Sequence, residues 1–112
     1  VIMFKKLISL LFKPKDDFES RSYKWTKARK EFLENNPNCA ACGRNKKLEV
    51  HHIKPYYLNP DLEFDYNNLI VLCDEPCHFV FGHLMNYQSW NETVVEDCKT
   101  YYEKIKHRPR PS

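Results

Sequence analysis

Two pairs of closely spaced cysteines constrain this chain most: Cys39-Ala-Ala-Cys42 and Cys73-Asp-Glu-Pro-Cys77. Each short loop lets two thiolates converge on one tetrahedral ion. Thirty residues separate the pairs, so a shared ion would tie the two ends of that segment together, and part of the folding free energy would come from metal binding. All four cysteines sit in turns containing Gly or Pro. The expectation is a structural Zn2+ held by Cys39, Cys42, Cys73 and Cys77. The fifth, Cys98, falls on the apolar face of a helical stretch and reads as a core thiol. An odd number of cysteines argues against a disulfide-linked structural or secreted protein, the weakest of the alternatives.

The length, 112 residues, favours one domain. A domain of this size buries a limited fraction of its surface, so a metal staple is useful to it. Apolar residues at 42% and charged residues at 29% describe a globular chain, not a disordered one. Residues 1–12, VIMFKKLISLLF, are apolar with two lysines but no small-residue cleavage site follows them. Twelve residues are too few for a spanning helix, which needs about 20, so no stable membrane insertion is expected; an amphipathic helix that packs on the body or touches a surface is the reading. The setting expected is intracellular and reducing.

A short helix over 2–12 ends at Pro14, and KPKDDFESRS reads as a linker. In the next helix Trp25, Ala28, Phe32 and Leu33 share a face, with Lys24, Lys27 and Lys30 toward the other; Asn35-Asn36-Pro37 stops it. Residues 48–53 alternate as a strand, 56–68 form a long connection, and 69–72 are a short apolar strand leading into Cys73. After His78 the stretch FVFGHLMNY is expected to turn helical. Ser89 and Glu92 have the spacing of a capping box, ahead of a helix built on Val94, Val95, Cys98, Tyr101, Tyr102 and Ile105.

The net charge of +3 is unevenly spread. Residues 1–30 carry nine Lys/Arg against three acids, residues 31–98 four against eleven, and residues 99–112 five against one. Basic flanks suit contacts with nucleic-acid phosphates, and an acidic middle suits cations. Lys24, Lys27, Arg29 and Lys30 are one candidate DNA grip; Lys104, Lys106 and Arg108, with Arg110, are a second. No helix-turn-helix signature is present, so mostly backbone-phosphate contacts and weak sequence choice are expected.

Five histidines complete the inventory: His51, His52, His78, His83 and His107. His51 and His52 are neighbours in a strand, so their side chains point to opposite faces. His78 directly follows Cys77, so a metal in the cysteine cluster would fix it in space. His107 lies in a basic tail and reads as surface.

The stretch 25–90 resembles the HNH family of nucleases. The likeness rests on Cys39 and Cys42, the strand EVHHIKP at 49–55, NNLIVLC at 67–73, and Cys77-His78. HFVFGHLMNYQSWN at 78–91 is similar to small phage-encoded members, which would place the chain in the cytoplasm of a bacterial host. The resemblance implies a small α+β fold with a ββα-metal (His-Me finger) core, zinc knuckles and flanking helices. With the segments read above, the chain divides into an amphipathic segment and linker over 1–20, a nuclease domain over 21–107, and a basic tail over 108–112. The implied roles are His52 as general base, Asn68 as the residue bracing the base-bearing loop, and His51 and His78 as ligands of a catalytic divalent ion. Some members carry a further histidine four residues after the one matched by His78. That place is Gly82 here, with His83 one step later as the candidate extra ligand. The second knuckle is CxxxC where CxxC is commoner.

These residue types suit phosphodiester hydrolysis. A neutral histidine can take a proton from water near pH 7. A divalent ion can stabilise charge on the phosphate and the leaving 3′ oxygen, and the resemblance implies 5′-phosphate products. Imidazole ligands suit Zn2+, Ni2+, Co2+ or Mn2+ better than Mg2+. Glu49 is a candidate for orienting a ligand histidine. The competing reading is a non-catalytic zinc-knuckle module that binds nucleic acid; the His51-His52 pair and Asn68 favour the enzyme.

Overall fold

The structure, a computed structural model, describes residues 21–109. The expected helix over 2–12 and the linker after it lie outside the described residues. The described part opens with helix α1, residues 21–35. Strand β1, Leu48–His52, pairs antiparallel with β2, Leu69–Cys73, placing Leu48 opposite Cys73, Val50 opposite Val71 and His52 opposite Leu69. Two 3-10 turns, Pro60–Leu62 and Tyr66–Asn68, shape the connection between the strands. A π-helical turn, His78–Gly82, follows β2, and helix α2, Val94–Ile105, closes the described chain. This is a small mixed α+β fold with the ribbon-then-helix order of a His-Me finger core.

The ribbon is covered on both faces, which explains why every residue of β2 is buried. On one face Phe32 of α1, with Trp25 and Leu33 at its edge, packs on Val50, Leu69 and Val71. On the other, Ile53, Ile70 and Leu72 meet the four clustered cysteines and Val94 and Cys98 of α2. Burying a Leu or Val side chain contributes about 1.5–3 kcal/mol, and Leu72 and Val94 are both fully enclosed. Cys98 is the core thiol its helical position implies. Val95 and Tyr101, expected on the same face, are 49% and 39% exposed; only Val94, Cys98, Tyr102 and Ile105 turn inward, a narrower stripe than the sequence pattern suggests.

Two local expectations are corrected. Ser89 does not cap a helix: its hydroxyl donates to the carbonyls of His83 and Asn86. Helix α2 begins at Val94, with Thr93 at its N-cap and no side-chain cap bond. Buried Asn91 organises that corner instead. Its Oδ1 accepts from the Thr93 backbone N–H at 3.0 Å and from the Thr93 hydroxyl; its Nδ2 donates to Asp97 and to the Phe81 carbonyl. The helical stretch after Cys77 is also much shorter than the apolar run implied. It ends at His83, and Leu84 and Met85 adopt left-handed conformations, φ 55° and 66°, which break any helix.

Candidate metal centres and active site

The four cysteines converge. Cys39, Cys42, Cys73 and Cys77 are all buried, and their sulfurs lie within 4.8 Å of one another. The Cys42 and Cys73 sulfurs are 3.8 Å apart, close to the edge of a tetrahedron built on Zn–S bonds of about 2.3 Å. None of the five cysteines is in a disulfide. The first knuckle is folded by backbone bonds: Cys39 N–H to the Arg44 carbonyl, Gly43 N–H to the Cys39 carbonyl, and Ala40 N–H across to Val71 of β2. Gly43, at φ 80°, supplies the left-handed residue this turn requires. A hydrogen bond with the Cys77 thiol lowers Cys39 to about 4, while Cys77 is pushed up in return. Cys98, outside the group, is raised to about 12 by burial. This is a donor set consistent with structural zinc.

A second cluster joins His51, His78 and His83, whose ligating nitrogens also lie within 4.8 Å of one another. The rings form a near-equilateral triangle, with centroids 4.9, 4.8 and 4.8 Å apart. His78 Nε2 faces His51 Nδ1 at 3.1 Å, the spacing of neighbouring nitrogens on an ion with bonds of about 2.1 Å. His83 Nδ1 donates to the Ser89 carbonyl at 2.8 Å, which leaves Nε2 with its lone pair free. Burial, then the neighbouring His78 and His83, lower His51 to about 3. Burial and His83 also lower His78, against the opposing charges of Glu49 and Asp74. Neutral imidazoles are the form that binds metal. Glu49 therefore acts on His78 through its charge and forms no hydrogen bond with it among the described contacts.

The π turn explains His83. An α-helix brings residues four apart onto one face, which would pair His78 with Gly82. Widening the turn to a five-residue repeat brings His83 onto His78 instead. Gly82 is then required for another reason. A Cβ there would lie 3.1 Å from His51 Nε2 and 3.2 Å from its Cε1. His51 Nε2 is buried and makes no well-formed hydrogen bond, although the Gly82 backbone favours the charged ring slightly.

His52 sits apart from this triangle. Its ring stacks on Trp25 of α1, centroids 4.6 Å apart and tilted 30°. Its Nε2 lies 3.0 Å from the Glu63 carbonyl; a carbonyl only accepts, so Nε2 carries the proton and Nδ1 the lone pair. Asn68 fastens the loop that supplies this carbonyl. Its Oδ1 accepts from Lys54 N–H at 2.9 Å, and its Nδ2 donates to the carbonyls of Lys54 and Leu62. Glu63, itself buried, lies 3.9 Å from Arg21, which also bonds the Tyr56 hydroxyl.

His51 and His52 leave the strand on opposite faces, as alternation requires, yet both border one cleft of about 240 Å³ with His78, His83, Tyr56 and Trp90. Among the described residues β1 pairs with β2 alone. Sequence reasoning missed Trp25, Tyr56, Glu63 and Trp90 as residues of the site. Trp25 shows only a core-facing helical position in the sequence, and the other three lie in irregular segments without a pattern. The grip residues remain on the surface: Lys24, Lys27, Lys30, Lys104, Lys106 and Arg108 are exposed and Arg29 is half-buried. Lys106 pairs with Glu103 at 2.7 Å.

Residues 39–79 match the family model described as HNH endonuclease. That segment contains both cysteine pairs, the strand pair, Asn68 and His78, and over it the chain is similar to HNH endonucleases. No curated protein matches the chain at a significant level, and no solved structure does. No helix among the described residues is long and apolar enough to cross a membrane.

Proposed function

We propose that this protein is a metal-dependent DNA endonuclease that hydrolyses phosphodiester bonds with His52 as general base. The observation that carries the reading is the division of labour at one cleft. His51, His78 and His83 bring their ligating nitrogens together, while a fourth histidine, held through Nε2 by a backbone carbonyl, presents a free Nδ1 beside them.

His51, His78 and His83 are the residues that would hold a single divalent ion, and His51 Nε2, buried without a well-formed partner, fits a ring committed through Nδ1. When bound, the ion supplies charge stabilisation at the phosphate and the leaving 3′ oxygen. The rest is done by the chain. His52 Nδ1 takes the proton of the attacking water, and the Glu63 carbonyl, accepting from Nε2–H, steadies the imidazolium that forms. Asn68 holds that carbonyl in place, and Trp25 keeps the ring from turning. Three imidazoles and no carboxylate suit Ni2+, Co2+, Zn2+ or Mn2+ better than Mg2+. DNA is gripped through its phosphates by Lys24, Lys27, Arg29 and Lys30. A bacterial cytoplasm, with the gene carried by a phage, is the setting this reading fits.

The test is plasmid cleavage by protein stripped of exchangeable metal, with Mg2+, Mn2+, Ni2+, Co2+ and Zn2+ returned one at a time. Cleavage restored by the transition ions supports the reading. No cleavage of duplex or single-stranded DNA with any ion overturns it in favour of a non-catalytic zinc module.

A further inference from the structure

A second cleft opens on the outer side of α1. It has a volume of about 390 Å³ and is lined by Lys24, Lys27, Ala28, Glu31, Phe64 and Tyr66. Lys24, Lys27 or Ala28, and Glu31 recur every three or four residues, so one stripe of the helix forms the floor. Two aromatic rings form the wall, and both are unusually open for their type: Phe64 is 38% and Tyr66 44% exposed. Tyr66 is nonetheless fixed. Its hydroxyl donates to Glu31 Oε2 at 3.0 Å, and its ring meets the edge of Phe32 at 5.4 Å.

The same hydrogen bond engages the one carboxylate in the cleft. Neither Lys24 nor Lys27 has an acidic partner within ion-pairing distance among the described residues, so the lysines set the sign of the field there. Exposed rings alternating with unpaired cations are the two components of single-strand recognition: ring faces stack on bases, and cations follow the phosphates. A continuous duplex cannot use this cleft, because paired bases present only their edges in the grooves.

The residues lining this cleft adjoin, along the chain, residues that touch His52. Phe64 follows Glu63, whose carbonyl holds His52 at 3.0 Å. Trp25, which lies between Lys24 and Lys27 on α1, stacks on the His52 ring. Phe64 thus stands one residue from the carbonyl that holds His52.

We infer that this cleft takes an unpaired base flanking the cleaved phosphate, so that the enzyme prefers DNA with a single-stranded or frayed stretch at the cut over continuous duplex. This rests on the nuclease reading for the position of the cut, but not for the binding itself. The experiment measures binding of full-length His52→Ala protein to a fluorescent oligothymidylate and to a duplex of equal length, at fixed salt and without added ion. The background protein should bind the single strand more tightly. Phe64→Ala should weaken that binding by roughly fivefold or more, the loss of one stacked base, and leave duplex binding and the salt slope unchanged. The ring-preserving Phe64→Trp should restore it, which separates stacking from damage to the loop. Tyr66→Phe, which keeps the ring, should bind better than Tyr66→Ala. Equal losses on both DNAs, no loss with Phe64→Ala, or no rescue by Phe64→Trp overturns the inference. Wild-type protein that cleaves duplex with a normal ion requirement under those results leaves the nuclease reading intact, and intact stacking in a chain that never cleaves overturns the nuclease reading alone.

Discussion

The cysteine cluster and the histidine cluster lie side by side in sequence, at Cys77 and His78, but they are built on different principles. The cysteines are sealed: all four are buried, they occupy two backbone-locked turns, and the core on that side of the ribbon closes over them. Four thiolates leave an ion no free position, which is the form of a structural site. The histidines stand at the mouth of a cleft, with His78 and His83 half-buried and the bordering loops irregular. In the reading proposed above, three ligands on one side would leave room for water and phosphate, and the chain would use metal once to hold its shape and once with coordination positions open.

The largest effect expected from breaking this contrast is on the closed side. Cys73→Ala or Cys39→Ala should abolish zinc retention and unfold the domain, since structural zinc in small domains contributes on the order of 10 kcal/mol. Cys98→Ala should keep its zinc, because that sulfur lies outside the group. Elemental analysis with circular dichroism separates the two outcomes.

On the open side, His52→Ala should lower the cleavage rate by roughly 10²- to 10⁴-fold while leaving fold and metal content unchanged. A cleavage time course at saturating ion reads this directly. Full activity in a folded variant would remove His52 from the role of base.

A gentler perturbation tests the triangle. Gly82→Ala places a methyl group against the His51 ring, so it should weaken the exchangeable ion, and excess metal should recover much of the activity. His83→Ala should behave in the same way. If His83→Ala titrates with metal as wild type does, the π turn brings that ring to the site without a ligand role.

The smallest effect belongs to the grip. Replacing Lys27, Arg29 and Lys30 by neutral residues should reduce the log–log salt slope of duplex binding by about 0.9 for each phosphate that is no longer neutralised. A binding titration across salt concentrations checks it.

What the sequence disclosed follows the same division. The cysteine knuckles, both strands and the opposed pair His51 and His52 were legible, because short loops and two-residue alternation are local rules. His83 was legible only as a candidate, since no residue pattern announces a π turn, and the four-residue spacing of an ordinary helix points to Gly82 instead. Ser89 and Glu92 matched a capping pattern, but tertiary contacts assigned Ser89 to the carbonyls of His83 and Asn86 and gave the corner to Asn91. Trp25 was visible as a core residue of α1. Its contact with His52 depends on how α1 crosses the ribbon, which no local rule specifies.

Whether the two clusters hold two ions of different kinds is decided by counting metal in protein dialysed against a mild chelator, and then assaying that protein on plasmid DNA with each ion returned. The expected outcome is a folded, inactive protein that keeps a single tightly held zinc per chain and regains cleavage when a second divalent ion binds, with that second uptake lost in His51→Ala but not in His52→Ala. Protein that cleaves with only the cysteine-held zinc present, or that takes up no second ion at all, would contradict the assignment of two ions.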